Sequence, residues 1–171
     1  MGHAWTLRVD DHAIGWLTFD QPDSKVNTLS PATLAELDHT LDEIRAMTSL
    51  GALVILSGKN DSFIVGADLG ELAKVDDEAT ATELARTGQR VFAKIAALPM
   101  PTVAAIHGAC MGGGLEMSLA CDYRLATEDD KTKLGLPEVN LGILPGWGGT
   151  QRLPRLVGLV PALERILTGK G

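Results

Sequence analysis

The sequence predicts an α/β fold whose sheet is largely parallel. Two observations carry this. Short apolar runs suited to buried strands, such as residues 52–56 and 102–106, alternate with longer segments of helical periodicity. Glycine, proline or a small polar cluster punctuates the changes of element. At 171 residues and 45% hydrophobic, the chain reads as one domain, residues 1–171, with apolar mass for a core of ordinary size.

Taken in order, residues 6–10 and 14–19 alternate apolar and polar around Asp10 and Asp11, a hairpin pattern. After a polar loop with Pro22, Ser30–Pro31 marks a helix start, with serine as cap and proline at the first helical position. Leu34, Leu37, Leu41 and Ile44 then recur at helical spacing as far as Met47. Residues 52–56 read as a strand covered on both faces, and residues 63–65 as an apolar run ahead of Gly66-Ala67-Asp68. Residues 74–82 are acidic and small and read as a loose surface segment. Leu84, Val91, Phe92, Ile95 and Leu98 define the next helix, ended by Pro99 and Pro101. Strands are expected at 102–106 and 122–126, with a helix beginning at 115–120 between them. A charged loop at 128–133 leads through 134–136 to Pro137-Glu138. A helix then opens near Thr150, and a last one starts at Pro161.

Composition narrows the function. Lys and Arg total 15 against 22 for Asp and Glu, a formal charge of −7, which argues against a nucleic-acid partner. Cys110 and Cys121 are too few for a disulfide scaffold and read as structural thiols in a reducing compartment. The N-terminus has no apolar segment of the signal-peptide type, and no apolar run approaches the ~20 residues that span a bilayer. The expected compartment is cytoplasmic.

The chemistry centres on residues 107–116, HGACMGGGLE. Gly112, Gly113 and Gly114 let backbone amides approach a ligand closely, and amides at a helix mouth carry partial positive charge. Two further glycine turns lie at Gly66 and at Gly146–Gly149. None is followed by Lys-Ser/Thr and none fits G-x-G-x-x-G, so neither a P-loop nor a dinucleotide fingerprint is present. Glu116 and Glu138 are set among apolar neighbours, which raises a carboxyl's pKa and suits it to proton transfer near neutrality. Singly, Glu116 is more often a solvated helix-face acid and Glu138 a capping or loop acid, and spacing does not show that they face one another. Asp68 reads as a helix cap, His107 as a packed histidine, and Lys25 by default as a surface charge. Met100, Met111, Met117 and Trp147 read as core or pocket lining. No His or Cys lies at metal-ligand spacing from His107, and no hydroxyl has a G-x-S-x-G setting.

Four ordered segments resemble the crotonase (enoyl-CoA hydratase/isomerase) superfamily: KVNTLS at 25–30, FIVGADLGEL at 63–72, PTVAAIHGACMGGGLEMSLACDYRLA at 101–126, and LGLPEVNLGILPGWGGTQRLPRLVG at 134–158. The KVNTLS and DDKTKLGLPE forms resemble the hydratase part of multifunctional fatty-acid β-oxidation proteins, in which a 3-hydroxyacyl-CoA dehydrogenase region normally follows. The resemblance implies a crotonase-like ββα superhelix and an acyl-CoA substrate whose thioester oxygen is held by the amides of Ala67 and Gly113. It implies that Glu116 activates the water added at Cβ and that Glu138 exchanges the proton at Cα. Lys25, Val26, Gly66, Asp68 and Leu69 would meet the CoA moiety. Gly112 belongs to the same substrate-binding set, and Gly146 would lie near the reacting carbons.

The implied reaction is hydration of a trans-2-enoyl-CoA to the 3-hydroxyacyl-CoA, with isomerisation of a 3-enoyl-CoA a second activity of the same site. No metal or separate cofactor is implied, since coenzyme A belongs to the substrate. A trimer-based homo-oligomer or a larger β-oxidation complex is expected. The family core continues through C-terminal helices after an L-T-G-K-x motif, here residues 167–171, and these are expected to be lacking from this chain. Trp147 stands where many relatives carry a small residue. Two competing readings are a truncated, non-catalytic acyl-CoA-binding or assembly module and a nucleotide-phosphate binder. The second leaves the glutamate pair unused.

Overall fold

The computed structural model describes residues 2–171. β1 (Trp5–Val9) and β2 (Ile14–Phe19) make the expected antiparallel hairpin, with Leu7 opposite Leu17. Ser30 caps α1 (Pro31–Ala46) in a reciprocal pair: its Oγ accepts from the Thr33 amide, and Thr33 Oγ1 accepts from the Ser30 amide. The periodic leucines and Ile44 of α1 are buried. β3 (Ala52–Ser57), β5 (Thr102–Ile106) and β7 (Tyr123–Ala126) extend the hairpin in parallel, giving a five-stranded sheet of order β1-β2-β3-β5-β7.

β3 is not sealed on both faces, as its apolar run suggested. Leu53 and Ile55 lie in the core, whereas Ala52, Val54 and Leu56 are half-buried. Successive side chains of a strand point to opposite faces, and one face only is fully covered by the elements described.

A second, all-parallel sheet joins β4 (Ser62–Ile64), β6 (Ala109–Met111) and β8 (Lys133–Gly135) in the order β4-β6-β8. Its middle strand escapes sequence reading, because three residues between glycine-bearing turns are too few to show a period. This small sheet positions the site. Parallel strands present their C-terminal ends at one edge, and the chain leaves β4 into Gly66, β6 into Gly112 and β8 into Glu138. Three segments distant in sequence therefore emerge side by side.

Asp68 caps α2 (Leu69–Leu72), its Oδ1 accepting from the amides of Gly70 and Glu71. Residues 74–82 are not a loose segment throughout. α3 (Glu78–Ala96) begins within them, with the Asp77 carboxylate accepting from the Thr80 amide. The acidic run that read as surface loop is a capped first turn, where acids suit the helix dipole. α4 (Gly113–Ala120) starts two residues earlier than expected and is buried along its whole length. A 3₁₀ turn, Pro137–Leu141, then leads to α5 (Gly149–Val157) and α6 (Leu159–Thr168). His107 is a hydrogen-bonded packing residue, its Nε2 lying 2.6 Å from the Lys59 carbonyl oxygen. Cys110 and Cys121 are buried, and burial pushes each thiol up to about 12, which keeps both inert.

Candidate active site

The C-terminal edge of the small sheet opens on a cavity of about 360 Å³. Gly66, Ala67, Gly112, Gly113, Glu116 and Glu138 share its wall with apolar side chains from α2, α3 and the segment around Ile143.

The Gly66 turn and the Gly112 turn pack directly on each other. A β-carbon on Gly66 would lie 3.2 Å from the Met111 carbonyl oxygen and 3.8 Å from the Gly113 nitrogen. Residues 27–29 pair alongside the turn: Val65 donates to the Asn27 carbonyl, Leu29 to Gly66, and Asp68 to Leu29. These bonds leave the Ala67 amide without a protein acceptor among the described residues. The Gly113 amide opens α4, where the first turn has no intrahelical acceptor. Two unspent N–H groups thus stand on abutting turns at one cavity wall, the arrangement needed to hold an oxyanion.

Buried Asn27 fixes this scaffold. Its side-chain amide donates to the Phe19 carbonyl, Ser57 Oγ and the Phe63 carbonyl, at 2.7, 2.9 and 3.2 Å. It thereby ties the turn to both sheets.

Glu116 is 2% exposed, which rules out a solvated helix face. Its Oε1 accepts from the amides of Trp147 and Gly149, each at 2.8 Å. Burial pushes its carboxyl up to about 7; the Gly149 amide opposes this, and the Glu138 charge adds to it. Glu138 lies in the 3₁₀ turn and does not cap a helix. Its Oε1 would sit 3.0 Å from a β-carbon on Gly112. Its Oε2 is buried with no hydrogen-bond partner among the described residues, and burial raises its pKa too. The two acids line one cavity, and the Glu138 charge is among the causes that raise Glu116. Two carboxyls raised by burial on one wall suit proton transfer near neutrality, one member serving as base and the other as acid.

The sign of the resulting pH effect on stability follows. Glu116 moves from 4.5 to about 7 on folding. Its stabilising contribution is therefore complete below pH 4.5 and lost as pH rises through about 7. The loss is about 3 kcal/mol. From pH 4 to pH 8 the unfolding free energy, measured with denaturant, is expected to fall by about 3 kcal/mol more in the wild type than in Glu116→Gln, the variant being the flatter. An identical fall in both would count against a buried, protonatable Glu116.

The remaining sequence-derived residues divide. Leu69 and Gly146 line the cavity. Lys25 is exposed and Val26 half-buried; neither is part of the lining, nor is Asp68, whose carboxylate is engaged in capping. Sequence reading missed the α2–α3 wall, built from Leu72, Val75, Ala81, Leu84 and Ala85. Asp77 ahead of Glu78 and Ala79 was the available signal, a cap followed by helix formers. It also missed the pair of amides that holds Glu116. Trp147, expected as core or pocket lining, is both buried and on the cavity wall.

Open amides beside two buried acids in an apolar cavity define a site built to stabilise an oxyanion and move protons over an apolar ligand. The chain belongs to the enoyl-CoA hydratase/isomerase family, whose description matches residues 10–171, and it has the crotonase fold. It is 56% identical over 168 residues to the fatty acid oxidation complex subunit alpha of Aliivibrio fischeri and 50% identical over 167 residues to that of Vibrio campbellii. These alignments cover 98% of this chain and 24% of each relative, so the chain spans about a quarter of their length. Among solved structures, an enoyl-CoA hydratase from Bacillus anthracis superposes with a TM-score of 0.90 at 35% identity, covering 98% of this chain and 63% of that one. One from Geobacillus kaustophilus gives 0.92 at 34% identity, covering 99% and 62%. Among the described residues no helix is long and apolar enough to cross a membrane.

Proposed function

We propose that the protein hydrates trans-2-enoyl-CoA to 3-hydroxyacyl-CoA in fatty-acid β-oxidation. The observation that carries this is the pair of acids, Glu116 and Glu138, on the wall that also bears the Ala67 and Gly113 amides. The thioester oxygen accepts from both amides. Glu116 takes a proton from water as the water oxygen bonds to Cβ. The C=C electrons move onto the thioester oxygen as an enolate, and Glu138 delivers its proton to Cα as the enolate collapses. Base and acid are assigned by hydrogen bonding. Two amides hold Glu116 as an anion, whereas nothing donates to Glu138 Oε2. Burial works the other way, raising Glu116 strongly. An acyl-CoA seated over both acids dehydrates Glu138 as well, which leaves the amide donors as the main difference between them. The same pair, acting at Cα and Cγ, accounts for isomerisation of a 3-enoyl-CoA.

No metal or separate cofactor takes part in this reading. The relatives' name supports a place in a fatty acid oxidation complex. A trimer-based homo-oligomer is supported by the apolar residues that α6 exposes, among them Leu159, Val160, Leu163 and Leu167. The two buried free thiols fit a reducing, cytoplasmic compartment. Lys25 is a candidate contact for a CoA phosphate.

The test is loss of enoyl absorbance from crotonyl-CoA beside a titration of CoA binding, both on the complete protein. Turnover with binding is expected. Binding without turnover would replace the reading with an acyl-CoA-binding module. Competition by ATP or NAD but not by CoA would replace it with a nucleotide binder.

A further inference from the structure

We propose that Trp147 is the positioning residue for Glu116: its indole, seated between helices α3 and α4, holds the 146–149 turn so that two main-chain amides meet one carboxylate oxygen. The consequence for turnover rests on the hydratase reading; the geometry does not.

The turn Gly146-Trp147-Gly148-Gly149 has one side chain beyond hydrogen, so Trp147 is the only side chain of its own with which it can anchor itself. That side chain is wedged between α3 and α4. A β-carbon on Gly88 of α3 would lie 2.3 Å from Trp147 Cδ1, and one on Gly113 of α4 would lie 2.4 Å from Cζ3. The ring therefore fills the space two glycines leave. Its Nε1–H donates to the Leu84 carbonyl at 3.2 Å, and its ring meets the Phe92 ring edge-on, centroids 5.7 Å apart at 89°. Gln89 of α3 adds a bond to the Gly146 carbonyl at 2.7 Å, and Arg152 of α5 one to the Trp147 carbonyl at 3.1 Å. The product of this seating is the pair of 2.8 Å bonds from the Trp147 and Gly149 amides to Glu116 Oε1. A residue of the 146–149 turn thus governs a carboxylate on α4 through the seating of its ring between α3 and α4.

The charged groups that act on Glu116 are Glu138 from the 3₁₀ turn and Arg152 from α5. The charged residues of α3 near the seat, Glu83, Arg86 and Arg90, are exposed, and β6 adds the Cys110 thiol, which pairs with Ser118. Neither Trp147 nor Gly88 carries charge; Gly88→Ala leaves the indole in the protein and so acts on Glu116 through the turn, whereas Trp147→Ala also admits water beside a carboxyl whose pKa burial raises.

The experiment follows the Glu116 carboxyl by ¹³C NMR in the complete protein, assigned by its absence in Glu116→Gln, together with the pH profile of kcat and with KM. Trp147→Ala keeps the amide and removes the anchor. Gly88→Ala keeps the tryptophan and pushes it from its seat. Gly88→Ala is expected to move the Glu116 midpoint up by about one pH unit, a tenfold change in proton affinity, because slackened donors favour the anion less; Trp147→Ala loses part of the burial as well, which opposes this, and is expected to move it less. The acidic limb of kcat should move with the midpoint; Trp147→Ala also reshapes the cavity wall and is expected to change KM, Gly88→Ala much less. Trp147→Phe, which keeps a ring in the seat, is expected to restore most of the wild-type midpoint.

Gly88→Ala in the Trp147→Ala background should add no further shift, since the clash is gone. A folded Gly88→Ala variant, judged by circular dichroism, whose Glu116 midpoint stays at the wild-type value overturns the proposal. So does a Gly88→Ala shift that persists without the indole. The titration decides whether or not the wild type turns over. A silent wild type therefore counts against the hydratase reading alone.

Discussion

Glu116→Gln and Glu138→Gln are each expected to lower kcat for crotonyl-CoA hydration by about 10²–10⁴-fold, the range for loss of a positioned proton-transfer group. The change is isosteric in both cases. At position 116 the glutamine oxygen still accepts from the Trp147 and Gly149 amides, so the fold and the CoA affinity should survive. What is lost is the basic site that takes water's proton. At position 138 the amide cannot deliver a proton to Cα, and its NH₂ brings donors to a place where no partner stands. The measurements are steady-state kcat and KM beside a CoA-binding titration. Because the acids act in one concerted unit, the double variant should be little slower than the worse single one. Near-wild-type kcat in either single variant would remove that glutamate from the reaction.

Gly66→Ala should cost about 10²–10³-fold in kcat through displacement of the Ala67 amide. Gly66 sits at φ +106°, a conformation that side-chain-bearing residues rarely adopt. A methyl there would also lie 3.2 Å from the Met111 carbonyl oxygen, part of the strand that leads into the Gly112 turn. Relief requires the two turns to part, and these turns carry the Ala67 and Gly113 amides proposed to hold the thioester oxygen. The strain itself should lower stability by about 1–3 kcal/mol. Thermal unfolding separates the two effects: a folded variant with a large kcat loss is the expected result. An unchanged kcat would mean that Ala67 does not contact the thioester oxygen.

Much of this architecture is legible residue by residue. The Ser30 cap, the α1 leucines, the β1–β2 hairpin and the Asp68 cap rest on contacts within a few residues, which local patterns report well. β6 was not legible, because three residues show no period. The first turn of α3 was misread because a solvated acidic run and a capped helix start share a composition. The clamp on Glu116 was invisible for a different reason. Its donors lie 31 and 33 residues along the chain, and they are main-chain amides whose residue type carries no donor signal.

Glycine turns, buried acids, helix caps and apolar runs are written into the order of residues, because each depends on its own side chains and nearest neighbours. Their convergence is not. Ala67, Gly113 and Glu138 share a wall because β4, β6 and β8 run parallel and release the chain at one edge. Pairing between strands that far apart is set by how the whole core packs. So is the seating of Trp147 between two helices, from which the placement of Glu116 follows.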